Sequence, residues 1–189
     1  MSSDERGAQL LEQLIELYLA EGFGAFGMAD LAARLRCSRS SLYLVASSKE
    51  QIILTAVRRY FARAEERIEA RVAAEPDLGK RIAVALDAVA IELAPASERF
   101  YADLAEFAPA QELYEDNTRR AAQRIQDIIT AGVEAGTLRP VNARFVGAAV
   151  AEVMAAIQTG RIEAATGLDD AEAYRALSEV VFRAVDSER

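Results

Sequence analysis

The chain has 189 residues, 52% of them hydrophobic, and a formal net charge of −8. That length and apolar content can bury a full core without a staple, and the single cysteine, Cys37, excludes an internal disulfide and fits a reducing compartment. Histidine is absent, which removes the commonest general base and the commonest metal ligand together, so neither an enzyme nor a bound cofactor is expected.

In chain order, residues 4–21 place Leu10, Leu14 and Leu17 on one stripe with Leu11, Ile15 and Tyr18 beside it, and Gly22 ends that helix. Phe23 and Phe26 tie the connection to the core. Met28, Leu31, Ala32 and Leu35 recur at the spacing of one helical face, which predicts a short second helix. Leu35-Arg36-Cys37 must then turn, because Ser38 can cap a third helix, Ser38 to Leu44, by accepting an orphan amide. In that helix only Leu42 is an evident core residue. A helix that carries Arg39, Ser40, Ser41 and Tyr43 on its other faces is built to touch something, and DNA suits it.

Ser47 or Ser48 caps a long helix from Lys49 to Ala74, apolar through Ile52, Ile53, Val57, Tyr60, Phe61 and Ile68. Pro76-Asp77 breaks it. Gly79–Ala94 is closed by Pro95, and Ser97–Phe107 by Pro109. Ala110–Ala135 is again long and stops at Gly136. Asn142–Ala165 and Asp169–Asp186 complete the chain. No segment alternates like a strand, so the fold class is all-α with about nine helices. An N-terminal three-helix helix-turn-helix DNA-binding domain is expected over residues 1–50, and a second helical domain over residues 51–189.

The acidic balance is unevenly placed. Residues 1–60 carry seven basic and seven acidic side chains, so the whole −8 comes from residues 61–189. Within residues 31–60, six basic side chains (Arg34, Arg36, Arg39, Lys49, Arg58 and Arg59) face one acidic, Glu50. Screening removes charges beyond roughly 8–10 Å at physiological salt, so this local excess is what phosphates would meet. Arg39 and Ser40 can reach base edges, and Leu44 can touch a thymine methyl.

The last two long segments are apolar around more than one face. Phe145, Val146, Val150, Val153, Met154 and Ile157 mark the first; Tyr174, Leu177, Val180, Val181 and Val185 mark the second. Two readings account for that breadth: interior helices of one domain, or a homodimer through these two helices. The second is preferred because helix-turn-helix units act in pairs. Adjacent carboxylates such as Glu65-Glu66 and Asp169-Asp170 point apart on a helix and offer no paired acid and base. No stretch reaches the roughly 18–20 apolar residues of a membrane span, and the N-terminus does not read as a signal peptide, so a cytoplasmic chain is expected.

Gly22-Phe23, Asp30-Leu31-Ala32, Ser38, Leu42-Tyr43 and Lys49-Glu50 together resemble the TetR family of transcriptional regulators, most closely over about residues 8–60. Gly27, Arg36 and Ala46 depart from the family pattern, which has Thr, Gly and Phe there. The resemblance implies a homodimeric repressor on a palindromic double-stranded DNA operator, released by a small-molecule inducer whose identity the residues leave open. It implies backbone phosphate contacts by Tyr43 and Lys49, beside Arg36, Ser38, Arg39, Ser40 and Leu44 on the DNA-facing side. It also implies a ligand pocket, for which Phe100, Leu104, Phe107, Tyr114, Asn117, Met154 and Gln158 are the candidate lining; an ordinary aromatic core accounts for the same cluster. The three departures keep an alternative in view, a small-molecule-binding helical protein with a vestigial DNA-binding unit.

Overall fold

In a computed structural model, residues 3–186 are described and form ten α-helices; the described residues contain no strand, only an isolated bridge between Leu138 and Asp186. The helices are α1 (Ser3–Glu21), α2 (Met28–Arg34), α3 (Arg39–Leu42), α4 (Lys49–Ala74), α5 (Arg81–Leu93), α6 (Glu98–Glu106), α7 (Ala108–Glu134), α8 (Ala143–Gln158), α9 (Arg161–Thr166) and α10 (Asp170–Val185). The all-α class holds, and α4 has the bounds its periodicity predicts. Of the two candidate caps it is Ser48 whose hydroxyl accepts the amide of Gln51, at 3.2 Å.

Three expectations need correction. The segment Asn142–Ala165 is two helices, because Gly160 takes a left-handed conformation (φ +68°) and its amide bonds back to Ile157 O at 2.9 Å, ending α8 before α9 begins. Pro109 does not close the preceding helix but stands in the first turn of α7, where a missing N–H leaves no intrahelical bond unmade. The helix expected over Ser38–Leu44 is α-helical only from Arg39 to Leu42. Beyond it, the amides of Leu44 and Val45 bond three residues back to Ser41 O and Leu42 O, at 3.1 and 3.0 Å, which tightens the last turn.

The chain divides into two compact units. The first comprises the described residues up to Arg63 together with Pro95–Tyr114. Its core is Leu14, Ile15, Tyr18, Phe23, Leu31, Leu42, Ile52, Phe100 and Leu104, all under a few per cent exposed. Aromatic edges hold it together: Phe23 meets Tyr18, Phe100 and Phe107 at centroid distances of 5.8, 6.1 and 6.4 Å. The second unit comprises Ala64–Ala94 and the described residues from Glu115 onward. There α10 packs on α5 and α8, around Ile82, Leu86, Ile129, Val150, Ile157 and Val185. On its surface Arg124 joins Glu65 and Glu69, one turn apart on α4, at 2.8 and 2.7 Å.

Candidate nucleic-acid interface

The first two corners of the helix-turn-helix are closed by backbone chemistry. Gly27 has no side chain to cap α2, and the carboxylate of Asp30 reaches back to accept the Gly27 amide at 2.8 Å, the reciprocal half of a capping box. At the other end of α2, Arg36 takes the left-handed conformation (φ +50°). Cys37 N–H then bonds Ala32 O at 2.9 Å and Arg36 N–H bonds Ala33 O at 3.2 Å. These are the two bonds of a Schellman turn, which usually places glycine where Arg36 stands.

Ser38 caps α3 as expected. Its hydroxyl accepts the amide of Ser41 at 3.1 Å and lies 2.8 Å from the hydroxyls of both Ser40 and Ser41. Leu42 is fully buried and anchors the short helix, which leaves Arg39 and Ser40 exposed, with Tyr43 at 54% and Leu44 at 43%. All four stand on the solvent side of α3 or the tight turn that follows it. Large apolar and aromatic groups held open to water next to arginine are the pattern of a contact surface rather than of a core.

The basic side chains of residues 31–60 divide by partner. Arg34 pairs with Glu21 and sits over the Phe26 ring, its guanidinium carbon 5.8 Å from the centroid. Arg59 stands 3.9 Å from Glu12. Lys49 is half-buried, and its ammonium donates to the Gly24 carbonyl at 3.4 Å. Among the described residues no carboxylate pairs with Arg36, Arg39 or Arg58, so none of those residues neutralises their charge.

The seven side chains expected around a ligand lie in different places. Phe100 and Leu104 are buried in the first unit, and Tyr114 joins the same cluster through Phe61 and Tyr101, each 6.1 Å between ring centres. Phe107 lines a groove of about 300 Å³ with Phe23, Gly24, Lys49, Glu50, Ile53, Asp103 and Glu106. Asn117, Met154 and Gln158 belong to the second unit, where Met154 is core and Gln158 donates to the Tyr174 hydroxyl at 3.0 Å.

Sequence reasoning passed over Asp103. It is a carboxylate inside the apolar stripe of α6, between Phe100 and Leu104, and that misplaced charge was its only signal. Its oxygen Oδ2 accepts the amides of Phe23 and Gly24 at 2.6 and 2.8 Å.

A short capped helix, presented on a three-helix unit with its cations and hydroxyls outward, defines a DNA-binding transcriptional regulator of the helix-turn-helix class. Residues 10–56, about a quarter of the chain, match the model for bacterial regulatory proteins of the tetR family. A search of curated proteins gives no match.

Solved structures share the fold over nearly the whole length. A candidate transcriptional regulator from Saccharomonospora viridis in complex with choline is 18% identical, with 97% of this chain and 99% of that one covered and a TM-score of 0.80. A TetR-family regulator from Agrobacterium tumefaciens is 15% identical, with 98% and 100% covered and a TM-score of 0.78. AibR, in complex with isovaleryl coenzyme A and operator DNA, is 16% identical, with 94% and 98% covered and a TM-score of 0.67. Among the described residues no helix is long and apolar enough to cross a membrane, and no group of three or more acidic or cysteine side chains is placed to hold a metal ion.

Proposed function

We propose that the protein is a ligand-responsive repressor that binds a palindromic operator as a homodimer and is released by a small organic inducer. The observation that carries the reading is the outward face of the α3 turn, where Arg39, Ser40, Tyr43 and Leu44 are exposed while Leu42 alone is buried. Arg39 and Ser40 take the base edges. Arg36, Ser38, Tyr43 and Lys49 take the backbone phosphates that fix register, and Leu44 packs on a thymine methyl. The DNA-binding function occupies residues 1–50, and ligand binding and dimerisation occupy residues 51–189.

Dimerisation through α8 and α10 is supported by Phe145, 70% exposed on α8, and Val180, 65% exposed on α10. The two helices pack on one another, and exposed Ala148 and Ala176 leave room for close approach of a second copy. A small organic inducer is supported by the choline and isovaleryl coenzyme A held by the two structural relatives. Its contacts are assigned to the cluster of Phe100, Leu104, Phe107 and Tyr114, with Asn117, Met154 and Gln158 as the second unit's candidates. The ligand need only prefer the form that binds DNA poorly, and a coupling of about 1–3 kcal/mol is typical.

The test is equilibrium binding to the DNA upstream of the protein's own gene, against scrambled DNA, across a salt series. A preference of about 10³ or more with a steep salt slope is expected. A shallow slope without preference favours the vestigial reading.

A further inference from the structure

The side chain of Asp103 is 1% exposed, and a carboxylate so deeply placed is tolerated only where its charge is met. Arg99, one turn back on α6, meets Oδ1 at 2.7 Å. The other oxygen, Oδ2, accepts two successive amides, those of Phe23 and Gly24, across eighty residues of chain. The turn between α1 and α2 is shaped for this entry. Gly22 is left-handed (φ +74°), a Cβ on it would collide with Oδ2, and a Cβ on Gly24 would stand 2.9 Å from Oδ1.

Two further contacts bind α6 to the same place. The Ser97 amide donates to Leu19 O, near the end of α1, at 2.8 Å. Phe100 and Phe107 both set their rings edge-on to Phe23. Pro95–Tyr114 accordingly falls in one compact unit with the helix-turn-helix, although the chain leaves that unit after Arg63 and returns to it only at Pro95.

We propose that Asp103 is a positioning residue for DNA binding: by clamping the Phe23 and Gly24 amides it fixes the entry into α2, and hence the seating of α3. The proposal rests on the reading of α3 as the DNA-docking helix. Charge-assisted bonds of this kind are the strong ones, and nothing else in the turn replaces them. Asparagine at 103 keeps an oxygen that can accept both amides; leucine fills the space and accepts neither.

The experiment compares the full chain with Asp103→Leu and Asp103→Asn, reading amide hydrogen exchange in the free protein and affinity for an operator fragment. Asp103→Leu should speed exchange at Phe23 and Gly24, and through Met28–Leu42, by about tenfold or more, with the Ile125–Ile129 amides unchanged. Operator affinity should fall about tenfold, and Asp103→Asn should restore most of both. Should the leucine variant fold poorly, Gly24→Ala pushes the carboxylate away from the opposite side and should give the same local pattern.

Wild-type exchange through α2 and α3 in Asp103→Leu, or operator binding as tight as wild type, overturns the proposal. Equal loss in the leucine and asparagine variants overturns it too, because the acceptor oxygen would then be irrelevant. A wild-type chain that shows no DNA preference, yet loses protection in α2 and α3 on the leucine change, counts against the docking role of α3 and leaves the clamp supported.

Discussion

Gly7 on α1 lies against Leu44: a Cβ at Gly7 would stand 3.2 Å from the Leu44 carbonyl oxygen. The first helix therefore sets the height of the turn that follows α3, and the absence of a side chain at position 7 sets how close they come. Gly7→Val should destabilise the protein by about 1–3 kcal/mol through overpacking and weaken operator binding with it. Thermal melts and operator titration read the two effects. A valine variant with wild-type values in both would show that this contact does not constrain α3.

Arg39 is exposed, has no carboxylate partner among the described residues, and directly follows the cap. Arg39→Ala should cost about 1–3 kcal/mol in operator affinity and relax sequence preference. Titration against an operator and its single-base variants checks this. An affinity loss equal for every sequence would reassign Arg39 to a phosphate.

Arg36 occupies a left-handed position that strains any side chain with a Cβ. Arg36→Gly removes that strain but adds backbone freedom to the unfolded chain, so the net gain should be about 0.5–1 kcal/mol. Arg36→Val, branched at Cβ, should be less stable than wild type. Denaturant melts of the pair give the comparison, and a glycine variant no more stable than wild type would contradict it.

The Tyr18 hydroxyl is buried with no hydrogen-bond partner, and burial raises its pKa above the ordinary tyrosine range. An unmet buried hydroxyl costs about 1–3 kcal/mol. Tyr18→Phe should therefore raise the melting temperature while leaving operator affinity unchanged. A drop in stability would mean that the hydroxyl is satisfied in solution.

Phe145 projects from α8 into solvent. If that face joins two copies, Phe145→Asp should convert a dimer into a monomer by sedimentation and weaken operator binding steeply, since the second half-site contact is lost. A dimer of unchanged stability would place the interface elsewhere.

Much of the architecture was legible because it is local. The apolar stripe of α4 and the serine caps at Ser38 and Ser48 are written within a few residues of the helices they shape. The charge excess around α3 is equally local, and it pointed to the same surface that the structure leaves open. What was missed depends on distance or on the choice between two local options. Gly160 sits in a strongly apolar, alanine-rich segment that reads as one helix, and only its backbone conformation splits it. Pro109 is as compatible with starting a helix as with ending one. The Asp103 clamp joins residues about eighty positions apart, so no periodicity could disclose it; a lone acid between Phe100 and Leu104 was the sole trace.

The most direct test of the account is a hydroxyl-radical footprint of the full chain on its operator. If paired α3 turns read successive major grooves, two protected half-sites should appear with centres about 34–36 Å apart, or a multiple of one helical turn, related by a two-fold axis. Arg39→Ala should blur both alike. A single protected patch, or protection without two-fold symmetry, would contradict the paired docking of α3.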